Sequence, residues 1–104
     1  MKANYENLIQ ALNLCGEAHG CSVGDYYEED RQVSINSDKV PAVSDFKGIL
    51  RAFFFTGTYD VHVDSSWGFV EAYLDAAEFL DEVDTDTLAF ALPDGWLSRI
   101  EDKG

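Results

Sequence analysis

The sequence predicts a small α+β domain in which a mainly antiparallel sheet of about four strands packs against two to three helices. Two observations lead to this prediction. Apolar residues recur at three- and four-residue spacing in the first segment, which is typical of a helix, and they alternate with polar residues in several later segments, which is typical of strands. The length of 104 residues fits a single domain over residues 1–104.

The first predicted helix covers residues 4–19. Leu8 and Leu12 fall on its apolar face, and Asn4 is a residue type suited to cap its N-terminus. Gly16 or Gly20 is suited to end the helix, because glycine readily takes the left-handed conformation found there.

A hairpin is predicted to follow this helix. Residues 21–27 are expected to be extended, and residues 28–30 form a charged turn. In the second strand, Val33 and Ile35 alternate with polar residues, which indicates a strand with one buried face.

The second half of the chain is predicted to alternate helices with strands. A helix is expected from Ser44 to a stop at Gly57, although the run of phenylalanines at 53–55 fits a strand equally well. The elements predicted after it are a strand at 58–64, a helix at 67–83, a strand at 87–92 and a short closing helix near 96–100.

Negative charge is concentrated in the second half of the chain. Of the formal charge of −13 at pH 7, residues 1–51 contribute −3, residues 52–98 contribute −10 and residues 99–104 contribute none. The middle segment contains no lysine or arginine. Because a field of one sign destabilises the compact state by self-repulsion, this pattern favours a partner of opposite charge.

The predicted helix at 67–83 would place part of this negative charge on one side. Glu71, Asp75, Glu78 and Glu82 recur at intervals of four, three and four, which would place them on one helix face. Such a ridge repeats about every 5–6 Å along the axis, as phosphates repeat along a nucleic-acid strand. A face that serves only solubility is the alternative interpretation. The residues predicted to bind a partner are Asp60, Asp64, Glu71, Asp75, Glu78, Asp81, Glu82, Asp84 and Asp86.

Two other clusters match metal sites only loosely. Cys15, His19 and Cys21 depart from the usual ligand spacing of zinc sites, and Cys15 falls on the apolar face of the first helix. The polar alternation over residues 60–64 is equally typical of a strand with one exposed face. No metal site, cofactor or catalytic residue is therefore predicted, and the chain is expected not to be an enzyme.

Composition excludes several classes of protein. Seven Phe, five Tyr and two Trp are too many for a disordered acidic tail. No apolar run is long enough to span a bilayer, and the N-terminal segment is amphipathic rather than typical of a signal peptide. The negative charge disfavours anionic membranes and direct binding of nucleic acid. We therefore expect a cytoplasmic protein with free thiols.

In size, charge and acid spacing the chain resembles the small acidic inhibitors made by phages and mobile elements, which include DNA mimics and some anti-CRISPR proteins. This resemblance implies a non-enzymatic inhibitor of a basic nucleic-acid-binding protein, such as a CRISPR effector, a restriction enzyme or a nuclease. The alternatives are an immunity protein that neutralises a basic nuclease toxin, and an acidic assembly or adaptor subunit. The sequence does not determine the oligomeric state and is compatible with a homodimer.

Overall fold

The fold is given by a computed structural model that describes the chain except for residues 20, 28, 30–31, 38–42, 65–68 and 101–104. For residues 21–26, 36–37, 43–44, 54–64 and 69–78 the backbone is described without the side chains. The elements are α1 (Tyr5–Ala18), β1 (Cys21–Tyr27), β2 (Gln32–Ser37), α2 (Val43–Phe53), β3 (Phe54–Asp64), β4 (Phe69–Phe79), α3 (Thr85–Ala91) and α4 (Trp96–Arg99).

The first helix, α1, begins at a side-chain cap and ends at His19. The side-chain oxygen of Asn4 accepts a hydrogen bond from the Asn7 amide at 2.8 Å, which confirms the predicted N-cap. The expected glycine stop at Gly16 is wrong, because this residue lies buried inside the helix and His19 is the C-cap. Gly20, the other expected stop, lies outside the described residues.

In the described part of the chain, four strands form one antiparallel sheet in the order β1-β2-β4-β3. β4 is therefore an inner strand that pairs on both sides, and β1 and β3 lie at the two edges. Val33 pairs with Ala72 and Ile35 pairs with Val70, which in turn pairs with Val63. Directly paired residues of antiparallel strands lie on the same face, so these apolar positions share one face of the sheet.

The helices pack on the sheet face that carries Val33 and Ile35, both of which are fully buried. These two side chains belong to one core cluster with residues of α1, α2 and α3. The helical members of the cluster are Leu8, Ala11, Leu12, Leu14, Cys15, Phe46, Ile49, Leu50, Ala52, Phe53, Leu88 and Ala91. Burial of this apolar surface is the main favourable contribution to folding.

The predicted fold class needs correction in its assignment of elements, first at residues 67–83. The predicted helix there is wrong, because Phe69–Phe79 form β4. Val70, Ala72 and Leu74 also alternate with polar or aromatic residues, which is the period of a strand. The alanines of this segment favour a helix, but intrinsic propensity is a weak preference, and pairing with β2 and β3 on both sides overrides it.

The second correction concerns residues 87–92, where the predicted strand is also wrong. Thr85–Ala91 form α3, in which Leu88 and Ala91 are buried, as is Leu92 just beyond it, while Phe90 is 91% exposed. A strand would have placed residues 88, 90 and 92 on one face. The sheet therefore takes its fourth strand from residues that the prediction gave to a helix. The described part of the chain contains four helices, of which α1, α2 and α3 contribute residues to the core cluster.

The boundary between α2 and β3 also differs from the prediction. α2 ends at Phe53, and β3 begins at the next residue, so Gly57 lies within the strand and does not end the helix. The Leu80 amide donates a hydrogen bond to the Phe53 carbonyl at 2.9 Å. This bond ties the segment after β4 to the end of α2.

Candidate partner-binding surface

The two faces of the sheet carry different residues. Val33 and Ile35 of β2 are fully buried on the face that packs against the helices. The alternate residues of the same strand, Gln32 and Ser34, are only half-buried. Tyr27, which pairs with Gln32, is 48% exposed. The face opposite the core, which we call the outer face, is therefore accessible to solvent at β1 and β2.

Five of the acidic residues predicted to bind a partner occupy positions on this outer face. Ser34 pairs with Glu71 and Gln32 pairs with Tyr73, which places these two positions of β4 on the outer face. Five successive outer-face rows of the β3–β4 pair each contain one acid: Asp64–Phe69, His62–Glu71, Asp60–Tyr73, Thr58–Asp75 and Thr56–Glu78. We call this set the acidic ladder, and its members are Asp60, Asp64, Glu71, Asp75 and Glu78.

The ladder has a regular step. Successive rows on one face of a strand are two residues apart, which corresponds to about 7 Å. From Asp64 the acids alternate between β3 and β4 through Glu71, Asp60 and Asp75, and Glu78 then continues along β4. None of the positions paired in these five rows is a lysine or an arginine.

A β-bulge keeps Glu78 in the ladder. Between the pairs Thr58–Asp75 and Thr56–Glu78, β3 advances by two residues while β4 advances by three. The extra residue in β4 shifts the alternation of the strand by one position. Glu78 therefore returns to the outer face although it lies an odd number of residues after Asp75. Glu71, Asp75 and Glu78, which are spaced by four and three residues, therefore share one face of this bulged strand, as they would share one face of a helix.

The other four residues predicted to bind a partner follow β4 and are exposed: Asp81, Glu82, Asp84 and Asp86. The predicted continuous ridge along one helix is wrong, because a helix over 67–83 is not formed. A carboxylate oxygen of Glu82 accepts a hydrogen bond from the Met1 amino group at 2.9 Å. Glu82 therefore has a structural contact of its own and lies outside the ladder.

Asp84 is the N-cap of α3. Its Oδ1 accepts hydrogen bonds from the amides of Asp86 at 3.2 Å and Thr87 at 3.3 Å, and its Oδ2 accepts one from the Thr87 hydroxyl at 2.7 Å. These bonds, above all that from the Thr87 hydroxyl, lower the pKa of Asp84 below its ordinary value. This cap is not among the sequence-based predictions, although an aspartate followed by apolar residues at 88, 91 and 92 is a signal for it.

Replacement of Asp84 by Ala is expected to lower the melting temperature, because the first amides of α3 lose their acceptor. Asp84→Asn keeps a capping oxygen and should lower the melting temperature less.

Since the pKa of Asp84 is lowered in the folded state, the stabilisation by its ionised carboxylate is complete above the unfolded pKa of about 4 and is lost as the pH falls through the folded pKa. The difference in melting temperature between wild type and Asp84→Asn should therefore shrink between neutral pH and about pH 3. Circular dichroism would measure it, and a difference independent of pH would contradict this role.

Two residues of the loosely matched cysteine–histidine cluster, Cys15 and His19, have described side chains. His19 Nε2 lies 2.8 Å from Asp45 Oδ2, so this contact joins the end of α1 to the first turn of α2. Cys15 lies buried in the core, and the side chain of Cys21 lies outside the description. Among the described side chains, no three His, Cys, Asp or Glu residues are placed to share a metal ion.

No helix in the described part of the chain combines the length and the apolar character needed to cross a membrane. Comparison with protein-family models, curated proteins and solved structures found no match to the chain. The function must therefore be inferred from the acidic ladder and the residues around it.

Proposed function

We propose that the chain is a non-enzymatic inhibitor that blocks the basic nucleic-acid-binding surface of a defence protein, such as a CRISPR effector, a restriction enzyme or a nuclease. The observation that supports this proposal is the acidic ladder, which has one acid in each of five consecutive rows. A nucleic-acid strand likewise presents one negative charge per nucleotide. Lysines and arginines that line a nucleic-acid channel would be complementary to both. Such an inhibitor would act in the cytoplasm, where these targets meet nucleic acid.

Aromatic residues accompany the acids on the outer face. Phe69 shares a row with Asp64, and Tyr73 shares a row with Asp60. Tyr27 on β1, at the opposite edge of the sheet, is 48% exposed. Channels that bind single strands combine basic side chains with surfaces on which bases stack. Aromatic residues among carboxylates therefore suit such a channel better than carboxylates alone.

The ladder is expected to destabilise the sheet that carries it. Like charges at neighbouring positions of paired strands repel one another. Residues 52–98 contain no lysine or arginine that could offset this repulsion. A basic partner would relieve the repulsion on binding, and electrostatic steering would make association fast and sensitive to salt.

A triple variant tests the proposal, namely Glu71→Gln with Asp75→Asn and Glu78→Gln. Glu82 is left unchanged because it contacts the Met1 amino group. The assay measures displacement of labelled DNA from purified CRISPR effectors, restriction enzymes and nucleases at low salt. If each lost ion pair is worth what exposed pairs usually are, the variant should bind its target about threefold to hundredfold more weakly. Its melting temperature should be equal to that of the wild type or higher, because repulsion is removed.

A matched control removes the same charges elsewhere. Glu28→Gln, Glu29→Gln and Asp30→Asn change two glutamates and one aspartate in the segment between β1 and β2. This control should displace DNA nearly as well as the wild type. Equal losses in the two variants would show that only net charge matters, and undiminished inhibition by the ladder variant would contradict the proposal.

A further inference from the structure

The most exposed large apolar side chain in the described part of the chain lies on α3 rather than on the sheet. Phe90 is 91% exposed, and Leu97 on the following helix, α4, is 55% exposed. Ala89 beside Phe90 is exposed as well. Full exposure of an aromatic ring forfeits the stabilisation that its burial would give, and exposed aromatic rings are favoured where proteins meet.

Carboxylates accompany this ring. Asp86 lies four residues before Phe90 on the same helix, so the two exposed side chains are neighbours on its surface. Asp94, also exposed, lies between α3 and α4. The nearest base in the sequence is Arg99, and its Nη2 donates to Glu17 Oε2 at 2.9 Å. We call the exposed residues Asp86 and Phe90 of α3, together with Asp94 in the segment that follows it, the α3 surface; it combines an aromatic ring with carboxylates.

We propose that the α3 surface is a docking point for an arginine-bearing segment of a protein partner. A guanidinium group stacks on an aromatic ring and donates paired hydrogen bonds to carboxylates, whereas a lysine ammonium group lacks the planar geometry for both. The proposal rests on the proposed function and deepens it by naming arginine as the group recognised outside the ladder.

Charge argues against a second copy of this chain as the occupant. In a two-fold symmetric contact through this surface, the same residues of both copies would meet. Asp86 and Asp94 of one copy would then approach those of the other, within a pair of chains that each carry a formal charge of −13. A basic segment of a different protein meets no such repulsion.

The test uses two peptides of equal length and charge, one rich in arginine and one with lysine in place of every arginine. Each peptide is titrated into the isotopically labelled full chain, and backbone amide shifts are followed by NMR. The arginine peptide should shift the amides of α3 and α4 and bind more tightly than the lysine peptide. Phe90→Ala should weaken binding of the arginine peptide about fivefold to twentyfold and should weaken binding of the lysine peptide much less, because an ammonium group is attracted to the ring but does not stack on it. The melting temperature should not change, because the ring contributes little to the core.

Three results would overturn the proposal. They are equal binding of both peptides, an unchanged affinity of Phe90→Ala for the arginine peptide, and a dimer in sedimentation that Phe90→Ala dissociates. The ladder variant is titrated in parallel to separate the two proposals. If the ladder has no part in binding, that variant will match the wild type while Phe90→Ala still loses affinity. If the ladder binds the peptide and the α3 surface does not, the ladder variant will lose affinity while Phe90→Ala matches the wild type.

Discussion

Phe53→Ala is expected to lower the free energy of unfolding by about 3–5 kcal/mol. Phe53 is fully buried at the last position of α2, and the chain enters β3 at the next residue. Removal of its ring would leave a cavity where this helix joins the sheet. The backbone there is also fixed by the hydrogen bond from the Leu80 amide, so the surroundings have limited freedom to collapse into the cavity.

Urea denaturation followed by circular dichroism would measure this loss. Phe53→Leu is the matched variant, because it keeps most of the apolar volume and should cost much less than the alanine change. A loss below about 1 kcal/mol for Phe53→Ala would contradict full burial of this side chain.

Leu88→Ala is expected to lower the free energy of unfolding by about 2–5 kcal/mol, whereas Phe90→Ala should change it by no more than about 0.5 kcal/mol. The two residues are two positions apart, and only Leu88 is buried. The difference follows from the helical geometry of α3, which turns residues two apart to different directions.

The pair also separates the two assignments of this segment. In a strand, residues 88 and 90 would lie on one face, and loss of the larger phenylalanine ring would cost at least as much as loss of leucine. Denaturation of both variants under the same conditions is therefore decisive. Similar large losses in the two would contradict α3 and restore the strand.

The parts of the fold that the sequence predicts correctly are those with one dominant signal. The helical spacing of α1 agrees with its cap at Asn4, and both are observed. The two strands predicted around the charged turn pair as an antiparallel hairpin. In each case the local pattern and the tertiary contacts favour the same element, and such agreement makes a prediction from sequence dependable.

The errors fall where two patterns coexist in one segment. Residues 69–79 carry acids at helical spacing and apolar residues at strand spacing, and only pairing with two neighbouring strands decides between them. In residues 85–91 the two-residue spacing of Leu88 and Phe90 suggests a strand. The cap at Asp84 and the burial of Leu88 and Ala91 nevertheless stabilise a helix.

The candidate site was predictable in its composition but not in its geometry. The absence of bases over residues 52–98 is visible in the sequence and identifies the acids that form the ladder. Their arrangement depends on the register of β3 against β4 and on the bulge before Glu78, which are properties of the pairing. The exposure of Phe90 follows from the helix α3, whereas a strand in that segment would place Phe90 on the same face as the buried Leu88.

The position of β3 in the sheet has a consequence for the solubility of the chain. β3 is 11 residues long and lies at one edge of the sheet. It pairs with β4 on one side and with no described strand on the other. A long edge of this kind can template the growth of an aggregate when a second chain adds its own strand, and charged residues on the edge oppose such growth. Asp60 and Asp64 are placed on this edge, where the two chains of an antiparallel β3–β3 pair would bring their carboxylates together. The same acids that would attract a basic partner thus also protect the free sheet from polymerisation.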